Sequence, residues 1–316
     1  MRAIGLTEFG GPEVLRAVEL PDPVPGPGQV RIRVHAAAVN PTDTLLRSGA
    51  TSARFEGRPG PYVPGMDAAG VVDAIGPDTD TSLRPGDAVM AIVLPYGPRG
   101  GAYADLIVAP AESVVPIPST VDFSHASTLL MNALTARLGL DLLAVPAGGT
   151  VAVTGAAGTF GGYAVQLAKS DGLLVLADAS AADEQLVRDL GADEVVRRGD
   201  DVADRFRALE PDGVDAVLDG AVLHELVVPA IRDSGGLAVI RGWDGPAGRG
   251  IHVHQVWVST VATDHARLRR LRDQAEAGEL TLRVADVLPA DQAAEAHRRL
   301  AAGGVRGRLV LDFTAY

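Results

Sequence analysis

The sequence predicts an α/β fold in which a doubly wound parallel sheet follows a small domain of short β-strands. Three observations carry this reading. Strand-like and helix-like segments alternate from about residue 150 to 240. Short strands separated by Gly/Pro turns fill the first 120 or so residues. A glycine-rich segment, Gly149–Gly162, joins a buried strand directly to a helix.

The elements follow in order. Pro21–Gly28 is a proline-rich turn that cannot be helical. Val30–Val39 begins with apolar and polar residues in alternation, as in a half-buried strand. Ala69–Ile75, Ala88–Leu94 and Ala104–Val108 are further strands, punctuated by Gly76-Pro77-Asp78 and Pro85-Gly86-Asp87, and their spacing suggests a small barrel. Asp122–Leu143 holds two apolar, alanine-rich helical stretches. Then come strand Val151–Thr154, helix Gly161–Ser170, strand Leu173–Ala177, helix Ala182–Leu190, and strands Val214–Leu218 and Leu237–Ile240. The tail is read as helices over His265–Gly278 and Asp291–Ala302 and a last strand, Arg308–Phe313.

Composition bounds the function. A chain of 316 residues suggests about two domains. With 47% hydrophobic and 22% charged residues it can bury a large core. The net charge of −12 argues against nucleic acid and anionic membrane surfaces as partners. With no cysteine, disulfides and thiolate metal sites are excluded. Met1–Gly5 runs straight into strand-like sequence, and no apolar run has spanning length, so a soluble, cytoplasmic protein is expected.

The glycine-rich segment points to chemistry. Gly155, Gly158 and Gly161 let the backbone approach a pyrophosphate, and the free N–H groups of the helix that follows can bind the anion. Ala156 stands where the first glycine of a GxGxxG pattern would be, so the motif is imperfect and gains its force from the surrounding βαβ order. Asp178 ends the next strand, where an acid accepts hydrogen bonds from ribose hydroxyls and repels a 2′-phosphate; a solvated loop acid is the plainer alternative.

Taken together the motifs resemble a family. They are Asn40-Pro41-Thr42-Asp43, Arg47-Ser48-Gly49, Val63–Gly70, Pro85-Gly86-Asp87, Gly101–Ala104, Leu134-Thr135-Ala136, the glycine turn with Ala164–Lys169, Leu190–Asp193 and Gly304–Leu311. Their joint order over nearly the whole chain resembles the zinc-independent quinone oxidoreductase branch of the medium-chain dehydrogenase/reductase superfamily. The resemblance implies a Rossmann dinucleotide-binding domain (residues 123–262) inserted into a GroES-like β-barrel domain (residues 1–122 plus 263–316). It also implies a homodimer, a small-molecule substrate and NADP(H), with NAD(H) admitted by Asp178.

Residue by residue, the resemblance places Asn40 beside nicotinamide and substrate, where its amide can steady a carbonyl oxygen; an Asn-Pro turn is the simpler role. Thr135 is placed by the nicotinamide. Gly155, Gly158, Thr159, Phe160, Gly161 and Arg241 are expected around the cofactor, Arg241 meeting a phosphate or a substrate carboxylate. Tyr96 and Trp243 are expected at the substrate pocket. Zinc-dependent relatives carry Cys and a His-Glu pair where this chain has Asn40 and Met66-Asp67, so no metal is expected. His252 and His254 are read as two polar residues on one strand face. Relatives carry substrate-facing tyrosines where Leu45 and Thr51 stand, and Gly-Val where Thr159-Phe160 stands. The expected activity is hydride transfer to a quinone, enone or related conjugated carbonyl. The alternatives are a dinucleotide-binding protein with little redox activity and a non-redox tailoring enzyme on the same fold.

Overall fold

The structure is a computed structural model that describes residues 1–315. The chain forms two compact units. One comprises Met1–Met131, Ala262–Glu276 and the segment from Leu282 onward; the other comprises Asn132–Val261 and Ala277–Thr281.

In chain order the first unit contributes β1 (Arg2–Gly5), β2 (Arg16–Glu19), β3 (Gln29–Ala38), α1 (Pro41–Ser48), β4 (Asp67–Ile75), β5 (Ala88–Ile92), β6 (Leu106–Pro110), β7 (Val114–Pro116) and α2 (Phe123–Ala126). Helix α3 (Leu130–Leu143) leads into the second unit. There follow β8 (Thr150–Thr154), α4 (Thr159–Ser170), β9 (Leu174–Ala179), α5 (Glu184–Asp189), β10 (Glu194–Arg197), α6 (Val202–Leu209), β11 (Val214–Asp219), β12 (Ile231–Val239) and β13 (His252–Gln255). The chain then returns through α7 (His265–Glu276), β14 (Val284–Pro289), α8 (Ala293–Ala302) and β15 (Arg308–Asp312).

In the first unit β3 is the organising strand. Val30, Ile32 and Val34 are buried, whereas Arg31 and Arg33 turn outward and both reach Asp73 on β4, at 2.6 and 2.8 Å. One edge of β3 pairs with β4; the other serves β6 along Gln29–Arg33 and β15 along Ala36–Ala38. The tail strand thus completes the N-terminal sheet. The strand path runs β14-β15-β3-β4-β5-β7, with β6 beside β3. Among the described residues β7 has only three residues and pairs only with β5, so the ladders stay open and the expected closed barrel is not shown.

The second unit is a six-stranded, wholly parallel sheet in the order β10-β9-β8-β11-β12-β13. The order reverses between β8 and β11, the switch point at which such sheets open a ligand crevice beyond their carboxyl ends. Register places Thr154, last in β8, beside Asp219, last in β11. Below them Phe206 of α6 packs with Val214, Ile231 and Leu237 in a buried cluster. Among the described residues no helix is long and apolar enough to cross a membrane.

Phe206 is fully buried, so Phe206→Ala should cost this unit about 3–5 kcal/mol through lost burial and the cavity left behind. Urea unfolding followed by circular dichroism measures this; a loss below about 1 kcal/mol would mean the cluster does not carry the unit's stability.

Candidate active site

The site in the second unit starts with the turn from β8 into α4. Gly155 has φ 67°, a left-handed conformation that side chains resist. A Cβ on Gly161 would fall 2.2 Å from the Gly155 carbonyl oxygen. The helix therefore begins in contact with the turn only because Gly161 has no side chain. Gly158 caps α4, and Thr159 and Phe160 open it. The first-turn N–H groups of a helix have no partner inside it. Thr159 is buried and its hydroxyl has no hydrogen-bond partner among the described residues. A turn of small residues, open helix donors and an orphaned hydroxyl fit a pyrophosphate. Phe160 lies against Gly220, where an added Cβ would sit 2.7 Å from its ring.

Asp178 is more deeply engaged than the sequence suggests. It lies within β9, buried, and its Oδ1 accepts the N–H of Gly155 at 2.6 Å and, more loosely, that of Ala156 at 3.4 Å. Burial raises its pKa, opposed by those two N–H groups and by the charge of Arg198. Arg198 follows β10 and was not singled out from the sequence. It is exposed, its backbone N–H bonds the Ala179 carbonyl, and its charge acts on Asp178. The signal was present as Arg197-Arg198, but β10 is too short and too exposed to announce itself as a strand.

Thr154 and Asp219 are a second omission. Thr154 Oγ1 donates to Asp219 Oδ1 at 2.6 Å and accepts the N–H of Ala221, while Asp219 Oδ2 accepts the N–H of His224. These bonds shape the exit of β11. Beyond β12, Arg241 is exposed and Trp243 half-buried. Gln255 holds the Trp243 backbone at both its N–H and its carbonyl, at 3.1 and 2.7 Å. Thr135 lies in α3 and is buried.

In the first unit Asn40 caps α1 and is buried. The expectation that its amide steadies a substrate carbonyl meets a competing use. Nδ2 donates to Asp67 at 2.9 Å and faces the Ala38 carbonyl at 3.5 Å, so both amide hydrogens are taken up inside the fold. Asp43 does not pair with Arg47. Its carboxylate accepts the N–H groups of Asn40 and Gly65 and the hydroxyl of Tyr103, while Arg47 reaches the Gly10 carbonyl. Tyr103 in turn lies 3.3 Å from Nε2 of buried His297. Tyr96 sits apart from this network, its ring 5.5 Å from Phe55 and under the Arg54 guanidinium at 4.5 Å.

Burial pushes the Asp67 carboxyl from 3.8 to about 7 against the bonds from Met131 and Asn40, and Asp43 to about 6. Burial, aided by the charge of Arg47, lowers His297 to about 3 and keeps it neutral. Among the described residues no three His, Cys, Asp or Glu side chains gather as a metal site. The residues at the zinc positions do not fit that ion. Asn40 and Asp67 are bonded to each other, and Met66 offers only a thioether.

A two-unit chain with a switch-point parallel sheet and this glycine turn has the architecture of a nicotinamide-dependent dehydrogenase. Comparison with known proteins agrees. Residues 26–119 match the alcohol dehydrogenase GroES-like domain and residues 190–311 the family described as zinc-binding dehydrogenase. The quinone oxidoreductase of the pig, Sus scrofa, is 30% identical over 328 residues, spanning 98% of this chain and 97% of its own. A mycobacterial protein solved with NADPH superposes with a TM-score of 0.87 at 32% identity, over 99% of this chain and 100% of that one. An NAD-dependent alcohol dehydrogenase gives 0.85 at 32% identity, covering 99% of each chain. The chain belongs to the quinone oxidoreductase family of the medium-chain dehydrogenase/reductase superfamily.

Gly161→Ala should abolish dinucleotide binding, because the new methyl cannot coexist with the Gly155 carbonyl unless α4 shifts. Calorimetry with NADPH on folded protein checks this, and unchanged affinity would remove the turn from the site. The pH dependence has a definite sign. Folded Asp67 keeps its proton where the unfolded chain has lost it, so its contribution to stability falls as pH rises from about 4 to about 7. Asp67→Asn should flatten the decline in melting temperature between about pH 4 and about pH 7; an unaltered slope would mean Asp67 is ionised throughout.

Proposed function

We propose that the chain is a zinc-independent NAD(P)H-dependent reductase that delivers hydride to a small quinone, enone or related conjugated carbonyl. The observation that carries this is the glycine turn, where Gly161 lets α4 start against Gly155 and the Thr159 hydroxyl is buried with no partner among the described residues. When bound, the nicotinamide supplies the hydride. The chain's part is positional. Gly155, Gly158, Thr159 and Gly161 hold the pyrophosphate, Phe160 walls it toward Gly220, and Asp178 keeps the turn in shape. Thr135 takes the place beside the nicotinamide that the family resemblance implies. Asn40 acts through its bond to Asp67 rather than by offering a free amide hydrogen. Tyr96 belongs to the aromatic surroundings of the substrate. Assembly as a homodimer and a cytoplasmic location form part of the same proposal.

NADPH is the favoured cofactor in this reading. Asp178 is buried with its Oδ1 engaged by the turn, and Arg198 supplies a cation near the ribose, whereas an acid with no such neighbour and open to the ribose hydroxyls would favour NADH. Arg198→Ala should weaken NADPH about tenfold, the size of one good charge-assisted phosphate bond, and NADH much less. Equal losses for both would remove Arg198 from cofactor choice.

The activity is tested by mixing the protein with each reduced cofactor and a panel of quinones and enones. Oxidation of a cofactor by at least one acceptor is expected. Tight binding without turnover on any acceptor would favour a binding protein with little redox activity.

A further inference from the structure

The carboxyl end of β12 and β13 carries features that the scheme above does not use. Both tryptophans of the chain flank the turn at Gly242. Trp243 is held as a structural wedge. Its ring stacks on His224 at 5.8 Å and 16°, and Gly245 packs so closely that an added Cβ would lie 2.3 Å from Cε2. Trp257, just past β13, is 44% exposed, an unusual state for so large an apolar ring. Its ring lies 3.4 Å from where a Cβ on Gly242 would stand, so the turn runs along its edge. Gly242 has φ 77°, which directs the chain sharply after Arg241. Arg241 itself is exposed and makes no ion pair or hydrogen bond among the described residues, in a chain of net charge −12.

Position narrows what this cation can meet. In a sheet ordered β9-β8-β11-β12, three strand spacings separate the ribose end from β12, about 14 Å in all. Arg241 is therefore on the half of the crevice away from a 2′-phosphate, the half where the reacting ring of a dinucleotide and its substrate lie. An exposed indole can stack a flat ring, and an unpaired guanidinium takes an anionic oxygen in its planar fork.

We propose that Trp257 and Arg241 form a substrate subsite for a planar ring bearing an anionic group, as in a carboxylated or sulfonated quinone. The inference rests on the reductase reading above, but its test does not need turnover. In Trp243→Phe protein, Trp257 is the sole tryptophan, and its fluorescence should be saturably quenched by naphthoquinone sulfonate. Adding Arg241→Gln should weaken the sulfonate about tenfold more than neutral naphthoquinone. Because Trp243 is half-buried and its loss can disturb folding, the same ratio is read by calorimetry on Arg241→Gln alone, with Arg241→Lys expected to restore part of the preference. Trp257→Leu should weaken both rings together. The proposal is overturned if Arg241→Gln lowers affinity for both quinones equally, or lowers affinity for NADPH as much as for the sulfonate. It is overturned too if Trp257 emission shows no saturable response. If quinones bind with this pattern yet none is reduced, the subsite stands and the reductase reading fails.

Discussion

Helix α4 begins in contact with the carbonyl of Gly155, and that approach governs the geometry around it. It requires a hydrogen atom where any other residue at position 161 has a methyl group. It also requires Gly155 to hold a left-handed conformation, which the Asp178 carboxylate secures by accepting that residue's N–H. Because Asp178 is on the adjacent strand, the turn is tied to β9 as well as to β8. The donors at the start of α4 and the Thr159 hydroxyl are thereby fixed before any ligand arrives, so little ordering entropy is spent on binding.

The first unit has its own version of the same device. One buried carboxylate, Asp43, gathers two backbone N–H groups and a tyrosine hydroxyl from three separate segments. A second, Asp67, ties the Asn40 side chain to the backbone of Met131. Such groups are expensive to bury and are tolerated because their acceptor capacity is used. The cost appears as carboxyl pKa values moved toward neutrality, and it identifies Asn40 as part of a framework more than as an exposed reagent.

Much of this was legible in the sequence. The apolar runs Val151–Thr154 and Val214–Leu218 lie in strands and are largely buried, Leu237–Ile240 is a buried strand up to Val239, and the glycines at 155, 158 and 161 marked the turn because backbone demands are local. What escaped was set by tertiary pairing. His252 and His254 read as sharing a strand face, but the place of β13 at the sheet edge, a polar strand with no apolar rhythm, is defined only by its ladder with β12. Strand β10 is equally faint, and so the cation that follows it was overlooked. The partners of Asp43 and Asp67 lie up to 60 or more residues away in sequence, beyond any spacing rule. The barrel was expected from strand spacing as well as from the family resemblance, and the pairings of the short β7 do not supply its closure.

The chain order has a consequence for biosynthesis. β15 takes part of one edge of β3, pairing Val310 with Ala38, so the first sheet joins segments far apart in the sequence. The parallel sheet of the second unit lies wholly within Thr150–Gln255 and can form while the tail is still inside the ribosome. Until the last strand emerges, part of β3 presents an unpaired edge of the kind that recruits other chains. β3, made long before β15, is thus fully paired only after it, and the nascent chain has a window of aggregation risk that the folded sheet has closed.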